Sequence, residues 1–205
     1  MKPDLVSVQP LPPAQMTALG ELFSVHKLPP PQARAAFLGP IADRVRFIQT
    51  TGFIGADRAL IEALPKLEII GCMGVGVDAI DLKTARERGV KVTNTPDVLN
   101  DCVADLAMGM IVAGLRRLPQ SDRHVRSLAW RKGEIALARK VSGKRLGILG
   151  LGRIGKAIAK RALGFDMEIG YHGRRRQDDA PYAFHPDLVE MARWADVLMV
   201  ICPGG

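Results

Sequence analysis

Aromatic residues are scarce in this 205-residue chain: two tryptophans, two tyrosines and six phenylalanines make up 5% of it. That leaves no obvious platform on which bases would stack, so a net charge of +8 does not by itself point to nucleic acid. The 29 lysines and arginines are scattered, and only Arg174, Arg175 and Arg176 form a tight run. Specific nucleic-acid binding is therefore not expected, while nonspecific attraction to polyanions at low salt stays open. Cysteine is rare too. Cys72, Cys102 and Cys202 are odd in number, widely spaced and set among apolar neighbours, which argues against a disulfide or metal framework and for reduced core thiols. No metal is expected. No apolar run approaches the roughly 18 residues that cross a bilayer, and the start at Met1, Lys2 and Pro3 lacks the basic-then-apolar pattern of a signal peptide. No membrane contact and a cytoplasmic address are expected. Internal repeats and low-complexity tracts are also lacking.

What is present is ordinary globular material, 47% hydrophobic and 24% charged, with 21 glycines. One stretch stands out at residues 144–155. Leu146, Ile148 and Leu149 suit a buried strand; Gly150, Gly152 and Gly155 fit G-x-G-x-x-G; Ala157, Ile158, Ala159 and Ala162 continue with helical spacing. Each glycine has a physical task in a dinucleotide-binding turn. Gly150 permits the tight turn, Gly152 lets the backbone approach a pyrophosphate, and Gly155 allows helix to pack closely on strand. Leu151, Arg153 and Ile154 complete the turn, and the free N–H groups of the helix start attract the anion.

A second strand is predicted over 167–172. An NAD site carries an acid about 20 residues beyond the glycines, where it holds the ribose hydroxyls. Here Gly173 stands in that place with Arg174 and Arg175 behind it, removing a carboxylate that would repel a phosphate and adding guanidinium forks that match one. The cofactor expected is NADP (NADPH); the alternative is a solvated basic turn, as charge runs usually are.

The first hundred residues read as a separate α/β unit. Strands are predicted over 47–51, 67–70 and 90–93 and helices over 58–64 and 82–87, an alternation that implies parallel pairing. The earlier segment, with Pro10, Pro12, Pro13, Pro29, Pro30 and Pro31, is broken into pieces that resist assignment. A strongly apolar helix over 102–115 is read as the crossing into the second unit.

Two further glycine-rich or loop segments, Gly71 to Asp81 and Asn94 to Asp105, join the residue 150–155 turn and the closing Val200, Ile201, Cys202 and Pro203. Together these motifs resemble the D-isomer-specific 2-hydroxyacid dehydrogenases, and the Gly173–Arg174–Arg175 pattern resembles the NADP-dependent glyoxylate and hydroxypyruvate reductases within that family. The likeness runs from about residue 45 to 205.

The resemblance implies an α/β protein with a flavodoxin-like substrate domain over 1–97 and a Rossmann-type NADP-binding domain over 98–205. It implies reduction of a small 2-keto acid such as glyoxylate or hydroxypyruvate by hydride transfer. The substrate carboxylate would meet backbone N–H groups at Val75 and Gly76; the bland reading of these two is a tight turn. Cys202 and Pro203 would join Gly150 to Gly155 and Gly173 to Arg175 at the cofactor. The 98–103 loop would border the nicotinamide, with Asn100 where threonine is frequent, and residues 116–136 resemble the family's dimerisation arm, so a homodimer is expected. Asp78 and Asp81 are read as helix caps. The family's catalytic arginine, glutamate and histidine are implied to lie beyond Gly205, so no catalytic residue is assigned within the chain and the second domain is expected to be incomplete. His26 and His185 are placed in loops, His124 on a polar arm and His172 at a strand end, all structural. The alternative function is a catalytically silent nucleotide-binding or interaction module.

Overall fold

Short aliphatic runs separated by turns and helices dictate parallel pairing, and the computed structural model, which describes residues 2–202, pairs them that way. The chain forms two compact units that divide between Asp97 and Val98.

The first unit contains strands β1 (Asp4–Ser7), β2 (Ser24–Lys27), β3 (Val45–Thr51), β4 (Ile69–Met73) and β5 (Lys91–Thr93), with helices α1 (Pro13–Leu22), α2 (Arg34–Leu38), α3 (Arg58–Glu62) and α4 (Leu82–Glu87). Its five-stranded sheet is parallel throughout, in the order β2-β1-β3-β4-β5 of flavodoxin-like folds. The proline-rich start thus supplies two strands and two helices. Pro13 stands at the first helical position of α1, where its missing N–H and fixed φ are compatible with a helix. Strand β4 begins two residues later than its apolar run and continues through Gly71, Cys72 and Met73, because these pair with Gln49, Thr50 and Thr51 of β3. The buried core includes Val6, Ile48, Ile61, Leu64 and Ile70. Asp81 caps α4, its carboxylate accepting from the Thr84 N–H at 3.0 Å. Asp78 stands instead beside Gly76. His26, placed in a loop from sequence, lies in β2 with Nε2 2.6 Å from Oδ1 of Asp4.

The second unit contains α5 (Asn100–Leu115), α6 (Leu118–Arg126), strand β6 (Arg145–Leu149), α7 (Arg153–Ala162), β7 (Glu168–His172), β8 (Ala183–Phe184), α8 (Leu188–Trp194) and β9 (Val197–Val200). Its four strands are parallel in the order β8-β7-β6-β9, which is the Rossmann 3-2-1-4 arrangement. Successive residues of β6 point to opposite faces. Leu146 and Ile148 pack with Ala104, Met108 and Ile111 of α5 and Ile158 and Ala159 of α7, whereas Gly147 faces Met191 and Ala195, at and just beyond α8. Arg161 of α7 bonds Asp101 at 2.9 Å and Asp105, both on α5. From Asn100 onward the supposed 98–103 loop is the first turn of α5. Only Cys72 is a core thiol, its ionisation pushed up by burial; Cys102 and Cys202 are exposed. Among the described residues no helix is long and apolar enough to cross a membrane, and no three histidine, cysteine, aspartate or glutamate side chains converge as metal ligands would.

Four carboxyls are held below their ordinary range by native contacts: Asp81 by the Thr84 N–H, Asp196 by the Arg145 N–H, Asp179 by Lys156 and Glu68 by Arg46. Each binds its proton less tightly folded than unfolded, so its contribution is complete above the unfolded carboxyl pKa and is lost as pH falls through the lowered one. The thermal midpoint, followed by circular dichroism, is expected to change little on this account above about pH 5 and to fall progressively below about pH 4.

Candidate functional site

In parallel sheets, ligands bind beyond the carboxyl ends of the strands, where the order reverses. In the second unit the order reverses between β6 and β9, and the carboxyl end of β7 borders the same place. Leu149 runs into Gly150, whose φ of +99° is poorly accessible to other residues and whose β carbon would meet the Cys202 backbone at 3.0 Å. The Gly150 N–H donates to the His172 carbonyl at 2.9 Å, tying the turn to the end of β7. Gly152 then caps α7 with no side-chain hydrogen bond and no acid in the first turn, so the positive field of the helix start is uncompensated by carboxylate. A β carbon at Gly152 would meet nothing within 4 Å, which marks open space in front of the turn. A β carbon at Gly155 would strike the Gly150 carbonyl oxygen. Leu151 is buried and Ile154 packs on the core, so these two contribute backbone and packing.

A cleft of about 1070 Å³ opens here, lined by Gly150, Gly152, His172, Gly173, Arg174 and Arg175 among others, with Cys202 on its margin. A second cleft of about 710 Å³ adjoins it, its charged lining made of Arg153, Lys156, Arg175 and Arg176 together with Asp178 and Asp179. Arg175 lines both, Arg174 only the larger and Arg176 only the smaller. No carboxylate stands at the end of β7. The nearest downstream acids are Asp178 and Asp179, and Asp179 is engaged by Lys156 at 2.8 Å. The glycine turn and the helix start fit a dinucleotide, and the loop beside them presents Arg174 and Arg175 to the same cleft.

In the first unit, Gly74, Val75 and Gly76 follow β4. The Val75 carbonyl accepts from Asn94 Nδ2 at 2.8 Å, and the Gly76 carbonyl lies 3.5 Å from the Cys72 thiol. A β carbon at Gly52 would strike that same carbonyl, so the loops after β3 and β4 touch through bare backbone. With the carbonyls turned to protein partners, the Val75 and Gly76 N–H groups donate to no protein acceptor among the described residues. Such paired amides form a concavity for an anion. Phe53, wholly exposed, stands in the adjoining loop.

A family model described as "D-isomer specific 2-hydroxyacid dehydrogenase, NAD binding domain" matches residues 108–205. The chain is 50% identical over 159 residues to a glyoxylate/hydroxypyruvate reductase of Arabidopsis thaliana, covering 78% of this chain and 51% of that protein. Among solved structures, a dehydrogenase from Rhizobium meliloti superposes with a TM-score of 0.80 at 39% identity over 96% of this chain and 69% of the other. The chain belongs to the D-isomer-specific 2-hydroxyacid dehydrogenase family. An NADPH-dependent glyoxylate/hydroxypyruvate reductase from Sinorhizobium meliloti, solved with NADP and malonate, gives a TM-score of 0.89 at 37% identity over all of this chain and 64% of that one. The chain thus spans about half of the Arabidopsis reductase's length and about two thirds of the two solved chains.

Membership gives the second unit a nicotinamide-dinucleotide-binding fold. Of the cofactor residues read from sequence, Gly150 to Arg153, Gly173 to Arg175 and Cys202 line the clefts at one end of the second sheet, Ile154 and Gly155 pack behind the turn and line neither cleft, and Pro203 lies outside the described residues. Val75 and Gly76 belong to the first unit. Sequence reasoning placed Asn94 in a loop motif without its role of fixing the Val75 carbonyl, and missed Gln177, which bonds the Leu151 carbonyl at 2.7 Å. Neither had a local signal, because the partners lie 19 and 26 residues away. Two of the histidines are hydrogen-bonded to backbone, His124 Nε2 donating to the Gly133 carbonyl and His172 Nδ1 to the His185 carbonyl, while His185 follows β8 with its ring tilted against Trp194 and its Nε2 buried without a hydrogen-bond partner among the described residues.

The second and third glycines of the turn are expected to separate on substitution. Gly155→Ala overpacks helix against turn and should destabilise by about 1–3 kcal/mol, seen as a lowered urea midpoint. Gly152→Ala, with open space at its β carbon, should leave that midpoint within error while weakening NADPH binding in a titration.

Proposed function

We propose that this protein is an NADP-dependent oxidoreductase that reduces a small 2-keto acid, glyoxylate or hydroxypyruvate, to the 2-hydroxy acid. The first unit serves as the substrate domain and the second as the NADP-binding domain. The observation that carries the cofactor assignment is the exchange at the end of β7, where Gly173 replaces an acid and Arg174 and Arg175 line the cleft beyond the glycine turn. The Gly152 turn and the start of α7 meet the pyrophosphate, and the two guanidinium groups meet the 2′-phosphate with charge-assisted hydrogen bonds. The N–H groups of Val75 and Gly76 hold the acid's carboxylate. When bound, the dinucleotide supplies the hydride that reduces the keto carbon. His26, His124 and His172 are hydrogen-bonded within the fold, His185 lies against Trp194, and none is assigned to proton transfer.

The names of the relatives support the substrate class. Support for a homodimer comes from the apolar side chains left exposed along α5 and the arm that follows, including Leu106, Met110, Leu118, Val125, Leu128 and Trp130. Their density on one stretch exceeds the scattered apolar exposure of an ordinary surface.

Replacing Arg174 and Arg175 together by alanine should weaken NADPH by about tenfold or more per arginine and leave NADH within about twofold. Fluorescence titration with both cofactors decides it, and equal weakening of the two would remove the NADP assignment. At the other unit, Asn94→Ala frees the Val75 carbonyl and loosens the amide pair. Its expected signature is a KM for glyoxylate or hydroxypyruvate raised about fivefold with NADPH affinity unchanged, measured by NADPH consumption in the full-length enzyme.

A further inference from the structure

The arginines that discriminate NADPH stand on a loop, residues 173–179, with no strand ladder of its own: β7 ends at His172 and β8 begins at Ala183. Arg174, Arg175 and Arg176 are exposed and of one sign, so their mutual repulsion favours spreading the loop. Three anchors act against it. Lys156 and Asp179 pair at 2.8 Å on the surface, a contact between flexible, solvated side chains that fixes little. The other two belong to Gln177. Its backbone meets the Tyr171 hydroxyl, which accepts from the N–H at 2.8 Å and donates to the carbonyl at 3.4 Å, and its side-chain Nε2 donates to the Leu151 carbonyl at 2.7 Å.

Both acceptors are immobile. Tyr171 is 1% exposed in the middle of the sheet and packs on Phe184 with ring centroids 5.3 Å apart. Leu151 is 3% exposed and sits inside the glycine turn. Gln177, itself half-buried, therefore joins the loop that carries the arginines to the turn that meets the pyrophosphate. The turn has independent support from the Gly150 N–H bond to the His172 carbonyl and from the close packing at Gly155. The arginine loop has none comparable.

We propose that Gln177 is the positioning residue of NADPH preference: it holds Arg174 and Arg175 at a fixed separation from the glycine turn, so that two phosphate sites are in register before the cofactor arrives. This rests on the NADP assignment made above. Without Gln177 the ordering of the loop falls on the binding step, and it falls only on the cofactor that uses the arginines. NADH, held at the pyrophosphate by the turn alone, is indifferent to the loss.

The decisive variant is Gln177→Met, which keeps length and bulk and deletes the donor. Tyr171→Phe, which deletes only the hydroxyl, provides a second route to the same loop. Dissociation constants for NADPH and NADH are measured by fluorescence titration of the full chain for both variants, for the Arg174→Ala/Arg175→Ala double variant, and for that double variant with Gln177→Met added. Gln177→Met is expected to weaken NADPH about five- to tenfold and NADH by less than about twofold, with Tyr171→Phe shifting the same ratio less. Added to the arginine double variant it should cause no further loss, since the residues it positions are gone. Equal weakening of both cofactors, or a lowered melting midpoint with an unchanged NADPH to NADH ratio, would make Gln177 merely structural and overturn the inference. Selective loss in the arginine double variant with none in Gln177→Met removes the Gln177 inference alone. If the arginine double variant itself shows no selectivity, the NADP assignment falls and Gln177 falls with it.

Discussion

The second unit depends on one close approach, that of the α7 backbone at Gly155 to the turn backbone at Gly150. There is no room for a side chain between them. Because they touch, the helix starts immediately at the strand end, its first N–H groups face the open space before Gly152, and Ile158 and Ala159 reach the core beside Leu146 and Ile148. Widening that contact by one methyl group would shift the helix start, the turn and the packing of α7 together. Binding capacity and stability are here the same geometric fact, which is why a carboxylate cap at Gly152, helpful to an ordinary helix, is missing.

The first unit reaches a similar end by the same means. Gly52 lies against the Gly76 carbonyl, and the β4 loop turns its Val75 and Gly76 carbonyls toward Asn94 and Cys72. What remains outward is a pair of uncharged donors. Backbone amides suit small anions for a physical reason: they offer partial positive charge at fixed positions, with no long side chain to order and no counter-charge to displace. On the proposed NADP assignment, arginine would serve where that logic fails, at a 2′-phosphate met by the longer side chains of Arg174 and Arg175.

Much of this was legible in the residues. The triad Gly150, Gly152 and Gly155 is a local pattern, and so are the aliphatic runs that became β3, β6 and β7, because side-chain periodicity and turn geometry act over a few residues. What was illegible depends on partners distant in sequence. Strands β1 and β2, four residues each amid prolines, are strands because they pair with each other and with β3. The β4 strand extends through Gly71 because β3 stands opposite, and His26 is ordered by Asp4 across 22 residues. Cysteine burial was misjudged at Cys102 and Cys202 because apolar neighbours in sequence do not establish a shared face: Cys102 lies on the outer side of α5 while Ala104 and Met108 lie inside.

The basic loop shows how local charge and global placement divide the work. Three consecutive arginines state what kind of ligand is wanted, but a run of like charge is the worst composition for holding its own shape. The shape comes from an uncharged residue, Gln177, bonded to one buried hydroxyl and one buried carbonyl, in the low-dielectric margin of the sheet where such bonds are strong and their geometry narrow. An ion pair in place of the Gln177 bonds would add a further carboxylate to Asp178 and Asp179, of which Asp179 is already neutralised by Lys156. A neutral amide anchors the loop and leaves the field positive, so the separation of anchoring from charge is itself what an anion-binding loop at a sheet edge requires.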